Sequence, residues 1–287
     1  MNPDDLRKAD AIEIVLGQGT KPGGGGMILG MKVTERVAGM RTLPVGVYQR
    51  SACCHPDWTG PDDLAIKIAE VREITDWEKP IYVKIGASRP YYDVKLAVKA
   101  GADVIVLDGM QGGTAATQEV FIEHVGIPIL PAIPQAVQAL QEMGMHRKVQ
   151  LIVSGGIRTG ADVAKAMALG TAALIALGDN HPCLDKELKE IGSAAGYYDD
   201  WQNGRDPAGI TTQDPELSKR LDPIEGGRHL ANYLRVLVLE AQTMARACGK
   251  SHLHNLDSED LVALNVEAAM ARVPLAGTNW IPGQVQY

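Results

Sequence analysis

The sequence predicts an α/β fold, a parallel (β/α)8 barrel of the TIM type. Short apolar runs typical of strands alternate with longer segments that have helical periodicity. The runs are continuous rather than alternating, as in strands covered on both faces. Roughly seven strand–helix units follow one another, which favours a barrel over an open sheet. A repeated order of strand then helix predicts parallel strands joined by right-handed crossovers.

Seven segments have the length and composition of strands. They are residues 11–16, 45–50, 81–86, 104–109, 127–133, 149–156 and 171–178. Helices are predicted at residues 59–74, 91–103, 136–144 and 160–170. The first of these helices has Pro61 and two acids in its first turn, and the second ends at Gly101, a good helix stop.

The pattern changes after residue 178, so two regions are predicted. Residues 1–178 form the barrel core, and residues 179–287 form a long loop and a helical extension packed on the barrel. Residues 196–223 contain turn formers without a clear period, which indicates a surface loop. Two helices are predicted at residues 225–249 and 257–273, the second opening with a capping pattern at Asp257 or Ser258.

Composition limits the classes of function. The chain has 287 residues, a net charge of -7 and no basic stripe, so a nucleic-acid partner is not expected. It shows no secretory signal and no apolar run of membrane-spanning length. The four cysteines lack C-x-x-C spacing, which predicts a reducing, cytoplasmic location, and Cys53 and Cys54 are expected to be buried.

Glycine-rich segments follow several predicted strands, where a parallel barrel places its working residues. In SGGIRTGADV, Gly155 and Gly156 allow a ligand to approach the backbone. Their amides, with the N-terminus of the next helix, would form an anion site. A tight turn that needs glycine is the alternative. The further segments DGMQGGT and GTAAL favour a phosphate-bearing cofactor.

Lys84 lies inside an apolar strand, where burying a lysine is costly unless it is paired. In a barrel it would point inward beside the cofactor, where a cation stabilises negative charge on a reduced ring. The alternative is an outward lysine that lies between helices.

Cationic residues near the same rim would suit a dicarboxylate substrate. They are Lys21, Arg41, Arg50 and His55, and ordinary surface charge is the alternative for each. Polar groups that would orient a ligand are Gln18, Asp108 and Gln111. No hydrolytic triad is evident, and no histidine has companions at metal-ligand spacing, so no metal site is expected.

The ordered motifs GQGTKPGGGG, YVKIGA, LDGMQGGTAAT and LIVSGGIRTGADVAKAMALG resemble the FMN-binding synthase barrel of the glutamate synthase family. The resemblance covers residues 11 to 178. Residues 248–278 resemble the C-terminal extension of stand-alone members, and within the family the likeness is strongest to the FMN-barrel subunit of N-methylglutamate synthase (methylamine–glutamate N-methyltransferase).

The resemblance implies an FMN oxidoreductase that aminates 2-oxoglutarate and reduces the product with flavin, giving glutamate or N-methylglutamate. Catalytic roles fall on Lys84, Lys21 and Gln18. The 2-oxo acid is assigned to Gln18, Lys21, Arg41 and Arg50. The FMN is assigned to Lys84, Asp108, Gly112, Gly113, Thr114, Gly155, Gly156, Gly170 and Thr171.

Three departures from the family pattern bear on these expectations. Only Cys183 stands where the glutamate synthases have a cysteine cluster, so no iron–sulfur cluster is expected. The family's strand–loop units upstream of residue 11 are absent, and Gly170 serves both the end of a helix and the phosphate motif. The barrel is therefore expected to be incomplete at its N-terminus and at its last strand.

These departures leave alternatives open. One is a non-catalytic or partner-dependent remnant of the family barrel. Another keeps the fold but has different chemistry, as an FMN-dependent dehydrogenase of another small molecule or a phosphate-sugar enzyme without flavin. Because no N-terminal cysteine nucleophile is present, amidotransferase-type and electron-donor partner subunits are expected, and with them an oligomeric assembly.

Overall fold

A computed structural model describes residues 2–114, 116–170, 172–173, 209, 212–278 and 280–283. Its strands are β1 (Ile12–Val15), β2 (Met27–Ile28), β3 (Gln49–Arg50), β4 (Ile81–Gly86), β5 (Val104–Asp108), β6 (Gln150–Ser154) and β7 (Ala172–Ala173). Its helices are α1 (Pro3–Lys8), α2 (Glu35–Arg41), α3 (Pro61–Ile74), α4 (Pro90–Lys99), α5 (Glu119–His124), α6 (Ile129–Glu142), α7 (Gly160–Ala168), α8 (Pro215–Ser218), α9 (Pro223–Ala247) and α10 (Val266–Ala269).

Five of the strands form one parallel sheet in the order β1-β4-β5-β6-β7. Each neighbour is the next of these strands along the chain, whereas a doubly wound sheet reverses its order at a switch point. The α/β class with parallel strands is therefore confirmed. Among the described residues β1 and β7 are the edges of the sheet, and the strands do not close into a barrel.

One face of the sheet carries the main hydrophobic core. Ile81, Val83 and Ile85 of β4 are buried against the helices, together with Ile105 and Leu107 of β5. Burying a side chain of this size contributes about 1.5–3 kcal/mol. The alternate residues of β4 are only half buried and lie on the opposite face. Lys84 belongs to this second face.

The long helix α9 packs along α7. Its buried residues Leu237, Ala241 and Ala245 recur every four positions and so form a single stripe. The helices approach closely at Gly160, where an added Cβ would lie 2.4 Å from the Leu237 carbonyl oxygen. A glycine at this position therefore allows the contact between the two helices.

The predicted strand at residues 127–133 is wrong, because α6 begins at Ile129. Pro128 is extended and starts the helix. The buried residues Ile129, Ile133, Ala136 and Leu140 recur at the helical period. A short apolar run fits a buried strand or a buried helix equally well, and here its continuation into residues 136–142 decides for the helix.

The predicted strand at residues 45–50 is also largely wrong. Only β3 is a strand, and it pairs antiparallel with β2 outside the main sheet. Val45, Val47 and Tyr48 are exposed, so the apolar character of the segment does not correspond to burial.

The predicted second helix of the extension, residues 257–273, is broken into a 3-10 turn at Ser258–Asp260 and the short α10. The capping pattern at Asp257 is present. Of the predicted strand at residues 171–178, the structure describes only β7, and the other residues lie outside its described part.

Cys53 and Cys54 are exposed free thiols, contrary to the expectation that they are buried. Their loop precedes α3. In the described part of the chain, no helix combines the length and the apolar character needed to cross a membrane.

Candidate functional site

Three loops meet at the carboxyl ends of the strands of the main sheet. They follow β1 (residues 16–26), β5 (residues 109–114 and 116–118) and β6 (residues 155–159). Because neighbouring parallel strands end at the same edge of a sheet, loops far apart in sequence come together there. The Thr20 amide donates to the Gly112 carbonyl at 2.8 Å, which joins the first loop to the second.

Asp108, the last residue of β5, holds these strand ends together. It is 1% exposed, and its Oδ2 accepts a hydrogen bond from the Gly19 amide at 2.8 Å. Its Oδ1 accepts from the hydroxyl of Ser154 at the end of β6. The Lys84 Nζ of β4 lies 3.9 Å from Oδ2. One buried carboxylate therefore connects the glycine-rich loop, β6 and the lysine.

Glycines make this close packing possible. A Cβ on Gly19 would lie 1.6 Å from the Gly109 carbonyl oxygen, and one on Gly112 would lie 1.9 Å from Asp108 Oδ1. Distances this short exclude any side chain, because carbon and oxygen atoms in contact lie more than 3 Å apart. The loop after β1 is therefore a packed part of the site and not a flexible linker.

Lys21 is a buried cation in the same loop, with only 4% of its surface exposed. Its Nζ donates to Thr114 Oγ1 at 2.5 Å, and the Thr114 amide donates to Gln18 Oε1 at 3.1 Å. Burial lowers the pKa of Lys21 from its usual value. No carboxylate of the described residues forms a salt bridge with Lys21, so it is suited to bind an external anion.

The loop after β6 offers backbone donors. Gly155 and Gly156 have φ angles of +102° and +77°, a left-handed conformation that favours glycine. The amides of residues 155–157 donate to no acceptor among the described residues. Gly113 lies in the facing loop with a φ of +89°. Successive free amides in such a turn form an anion-binding concavity.

Carboxylates cap the start of α7, where the sequence predicted part of the anion site. Asp162 Oδ2 accepts from the amides of Arg158 at 3.1 Å and Thr159 at 3.0 Å. Glu240 Oε2, from α9, accepts from the Gly160 amide at 2.9 Å. One carboxylate therefore accepts from the first amide of the helix, and the other accepts from the two amides that precede it. A phosphate there would meet like charge.

The predicted rim arginines lie apart from this cluster. Arg41 is exposed at the end of α2 and donates to Gln49 Oε1 at 3.2 Å. Arg50 is exposed in β3 and pairs with Met27, which follows the glycine-rich loop. His55 is exposed as well, and the partial loss of water around its ring lowers its pKa. No hydrogen bond or ion pair of the described residues joins these three to Lys21 or Asp108.

Gly170 lies at the amino ends of the strands, whereas the other predicted cofactor residues that the structure describes lie at or near the carboxyl ends. It precedes β7, and a Cβ added to it would lie nearest to the side chains of Val137 and His146. Because α7 runs antiparallel to the strands, its end lies at their amino edge. Thr171 lies outside the described residues.

Sequence reasoning missed two kinds of residue at this site. Ser154 ends an apolar strand just as Asp108 does, and that placement was an available signal. Glu240 lies 80 positions from its partner Gly160, so no local pattern points to it. The Gln111 side chain accepts from the amide of Ile129, the first residue of α6, at 3.1 Å and so caps the start of that helix. In the described part of the chain, His, Cys, Asp and Glu form no group of three that could hold a metal ion.

Comparison with known proteins adds the family. The family model "conserved region in glutamate synthase" matches residues 1–186 and 196–251. A glutamate synthase large subunit-like protein of Rhizobium meliloti (strain 1021) is 72% identical over 99% of this chain and 66% of its own length. The archaeal glutamate synthase [NADPH] of Methanocaldococcus jannaschii is 40% identical over 89% of this chain and 49% of its own length.

An archaeal-type glutamate synthase [NADPH] of Thermotoga sp. (strain RQ2) is 38% identical over 98% of this chain and 55% of its own length. This chain thus spans about half to two thirds of the length of these relatives. A solved structure of a mutant flavocytochrome b2 with pyruvate bound is 18% identical, with a TM-score of 0.48, and covers 96% of this chain and 52% of its own chain. On the match of the family model over most of its length, the chain belongs to the glutamate synthase family.

Proposed function

We propose that this chain is the FMN-binding part of a glutamate synthase-type oxidoreductase, which aminates 2-oxoglutarate and reduces the product to an amino acid. The observation that carries the proposal is the buried Lys21, which has a threonine but no carboxylate as its partner among the described residues. A cation held this way is costly unless an anion binds beside it. Membership of the family supports the same assignment.

The fold proposed for this chain is a (β/α)8-type barrel that is incomplete at its N-terminus and at its last strand. The sequential order of its five parallel strands supports this architecture. Lys84 lies on the sheet face away from the helices, which is the inner face in such a barrel.

The residues present suit a phosphate-bearing flavin. Gly113, Gly155 and Gly156 adopt left-handed conformations, and the amides of residues 155–157 have no acceptor among the described residues. These glycines therefore leave room for a phosphate, and the amides supply its donors. Lys84 is positioned by Asp108 at the end of the neighbouring strand. Bound there, reduced FMN would supply the hydride for the reduction.

The protein groups divide the remaining tasks. Lys21 would bind a carboxylate of the 2-oxo acid, with Gln18 and Thr114 fixing its position through their shared hydrogen bond. Condensation of an amine with the 2-oxo group releases water and forms an imine. The imine carbon takes a hydride and its nitrogen a proton, which gives the amino acid. Lys84 would stabilise the negative charge of the reduced ring, which is lost when the hydride leaves.

The nitrogen donor and the electron source are part of the proposal. Ammonia would give glutamate and methylamine would give N-methylglutamate, the two products that the sequence resemblance implies. Membership of the glutamate synthase family supports assigning nitrogen delivery and flavin reduction to amidotransferase-type and electron-donor partners. Their contribution would make the working enzyme an oligomeric assembly.

The test begins with the visible spectrum of the purified chain after FMN is added and unbound FMN is removed. Retained flavin bands are expected for the wild type and for Lys99→Met, an exposed control. Lys84→Met should lower flavin retention, and Lys21→Met should retain it. A wild-type chain that folds but retains no flavin would contradict the proposal and favour the partner-dependent remnant.

The second stage supplies the reduced flavoprotein with 2-oxoglutarate and either ammonium or methylamine. Reoxidation of the flavin together with a labelled amino-acid product is expected, and Lys21→Met should raise KM at least tenfold because it removes a charge-assisted contact. Turnover with methylamine but not with ammonium would identify N-methylglutamate as the product. Reoxidation by a different 2-oxo acid but not by 2-oxoglutarate would contradict the proposed substrate.

A further inference from the structure

The helix α9 of the C-terminal region contacts the anion-binding loop directly. The Tyr233 hydroxyl donates to the Arg158 carbonyl, and Glu240 Oε2 accepts from the Gly160 amide at 2.9 Å. Tyr233 and Glu240 are seven positions apart, two helical turns, so they lie on one face of the helix. Residues 158–160 are therefore held at two backbone groups by one rigid element.

Close packing leaves this segment little freedom. Gly160 lies against the backbone of α9, since a Cβ there would also approach the Ala241 amide nitrogen to 2.5 Å. The stripe of Leu237, Ala241 and Ala245 is buried beside it. Gly155 lies at the other end of the loop and is enclosed by the backbone of Gly109. Both ends of the loop are thus fixed, and the free amides lie between them.

We propose that Tyr233 and Glu240 are positioning residues that hold residues 155–160 in the conformation that binds an anion, and that Glu240 directs this anion to the amides of residues 155–157 instead of the N-terminus of α7. This inference rests on the proposed function, in which the anion is the phosphate of FMN. Neither side chain touches the cofactor in this arrangement.

Electrostatics supports this division of roles. A free helix N-terminus carries partial positive charge and attracts phosphate. Here the carboxylates of Asp162 and Glu240 offset that charge and accept from the amides of residues 158–160. The amides of residues 155–157 have no acceptor among the described residues. Burial, followed by the charges of Asp162 and Glu240, raises the pKa of Tyr233. The phenol therefore stays protonated at neutral pH and keeps its hydrogen bond to Arg158.

The test compares the affinity for FMN with that for riboflavin, which lacks the phosphate. Tyr233→Phe and Glu240→Leu should each weaken FMN binding about 2–10-fold, the effect of one net hydrogen bond, and leave riboflavin binding unchanged. Glu240→Gln still accepts from Gly160, so it should bind FMN at least as tightly as the wild type. Tyr92→Phe and Glu225→Leu, which alter exposed side chains, should leave both affinities unchanged.

Inorganic phosphate gives a second readout that does not depend on flavin. In the wild type, amide chemical shifts should change with phosphate at residues 155–157 and remain constant at Thr159 and Gly160. Glu240→Leu should add a shift at Gly160. If Glu240→Leu does not fold, the FMN and riboflavin affinities of Tyr233→Phe and Glu240→Gln still test the inference.

The outcomes separate the two proposals. FMN affinity that falls in parallel with riboflavin affinity would assign Tyr233 and Glu240 a structural role only and overturn the inference. Phosphate shifts centred on Thr159 and Gly160 in the wild type would overturn it too. A wild type that shows the expected phosphate shifts but binds no flavin would support the inference about the loop and contradict the proposed cofactor.

Discussion

Replacing Asp108 by alanine should be among the most destabilising single changes in this chain. Its carboxylate is 1% exposed and accepts from the Gly19 amide and the Ser154 hydroxyl. It also pairs with Lys84. Alanine would leave two buried donors without an acceptor and one cation without a counter-ion.

The magnitude follows from these contacts. A hydrogen bond to a charged group contributes about 1.5–3 kcal/mol, and breaking a buried ion pair costs about 3–5 kcal/mol. Because the three contacts share one carboxylate, their contributions do not add, and we expect Asp108→Ala to lower the free energy of unfolding by about 3–5 kcal/mol. Asp108→Asn keeps the shape and an acceptor for Gly19, so its cost should be about 1–2 kcal/mol.

Asp103, which precedes the first residue of β5, provides a matched control. It accepts from the Ile81 amide at 2.8 Å and pairs with Arg72 at 2.9 Å, but its side chain is 42% exposed. Because Asp103 is partly exposed, water can replace much of the hydrogen bonding that Asp103→Ala removes. We therefore expect this change to lower the free energy of unfolding by about 1–2 kcal/mol. The measurement is urea-induced unfolding followed by circular dichroism, with the slope of each transition compared as well.

The reasoning fails if Asp108→Ala costs no more than Asp103→Ala. It fails also if Asp108→Asn and Asp108→Ala are equally destabilising, because the lost acceptor would then not be the cause. Flavin retention should be lowered by the Asp108 variants, which alter the carboxyl end of β5. It should not be lowered by the Asp103 variant, which alters the amino end of the same strand.

Lys21→Met should stabilise the ligand-free protein by about 1 kcal/mol at pH 7, because it removes a buried cation that has no carboxylate partner among the described residues. Since burial lowers the pKa of Lys21, this gain in the free energy of unfolding, measured by urea titration, should shrink as pH rises through that pKa. Gly112→Ala should cost about 3 kcal/mol or more in thermal unfolding, because its Cβ would lie 1.9 Å from a buried carboxylate oxygen, whereas Gly39→Ala, with no atom within 4 Å in a helix, should stabilise by about 0.5–1 kcal/mol; equal effects would contradict the close packing. Hydrogen bonds, first that from Lys95, lower the pKa of Glu142 to about 2, so its contribution to stability is present above about pH 4.5 and lost as pH falls toward 2; Glu142→Gln should destabilise at neutral pH, and a difference from the wild type that persists unchanged at pH 2 would refute this.

Local signals in the sequence located much of the sheet and its helices. The predicted segments at residues 81–86 and 104–109 correspond to β4 and β5 almost residue for residue. Helix α3 begins at Pro61 as expected, because proline at the first position needs no amide partner. In such segments the length, the terminal residues and the apolar pattern all favour one structure.

Other segments carried a signal that two structures satisfy. Residues 127–133 are apolar enough for a buried strand, yet they begin α6, since their partners are α4 and the sheet face beneath it. Val45 and Val47 have the composition of a strand, but no neighbouring strand pairs with them and they stay exposed. A strand is defined by its neighbours, which the local sequence does not specify.

The sequence by itself determined the alternation of parallel strands and helices, and it identified Asp108, Lys21 and Gln18 as polar residues at strand ends. Only the tertiary structure decided how they interact. It showed that Asp108 joins loops 89 positions apart, and that Glu240 closes the helix end where an anion was expected. It also placed Gly170 at the amino ends of the strands, away from the other predicted cofactor residues that the structure describes. Periodicity and capping act over a few residues and are readable locally, whereas a buried hydrogen bond depends on which distant backbone group packing brings within 3 Å.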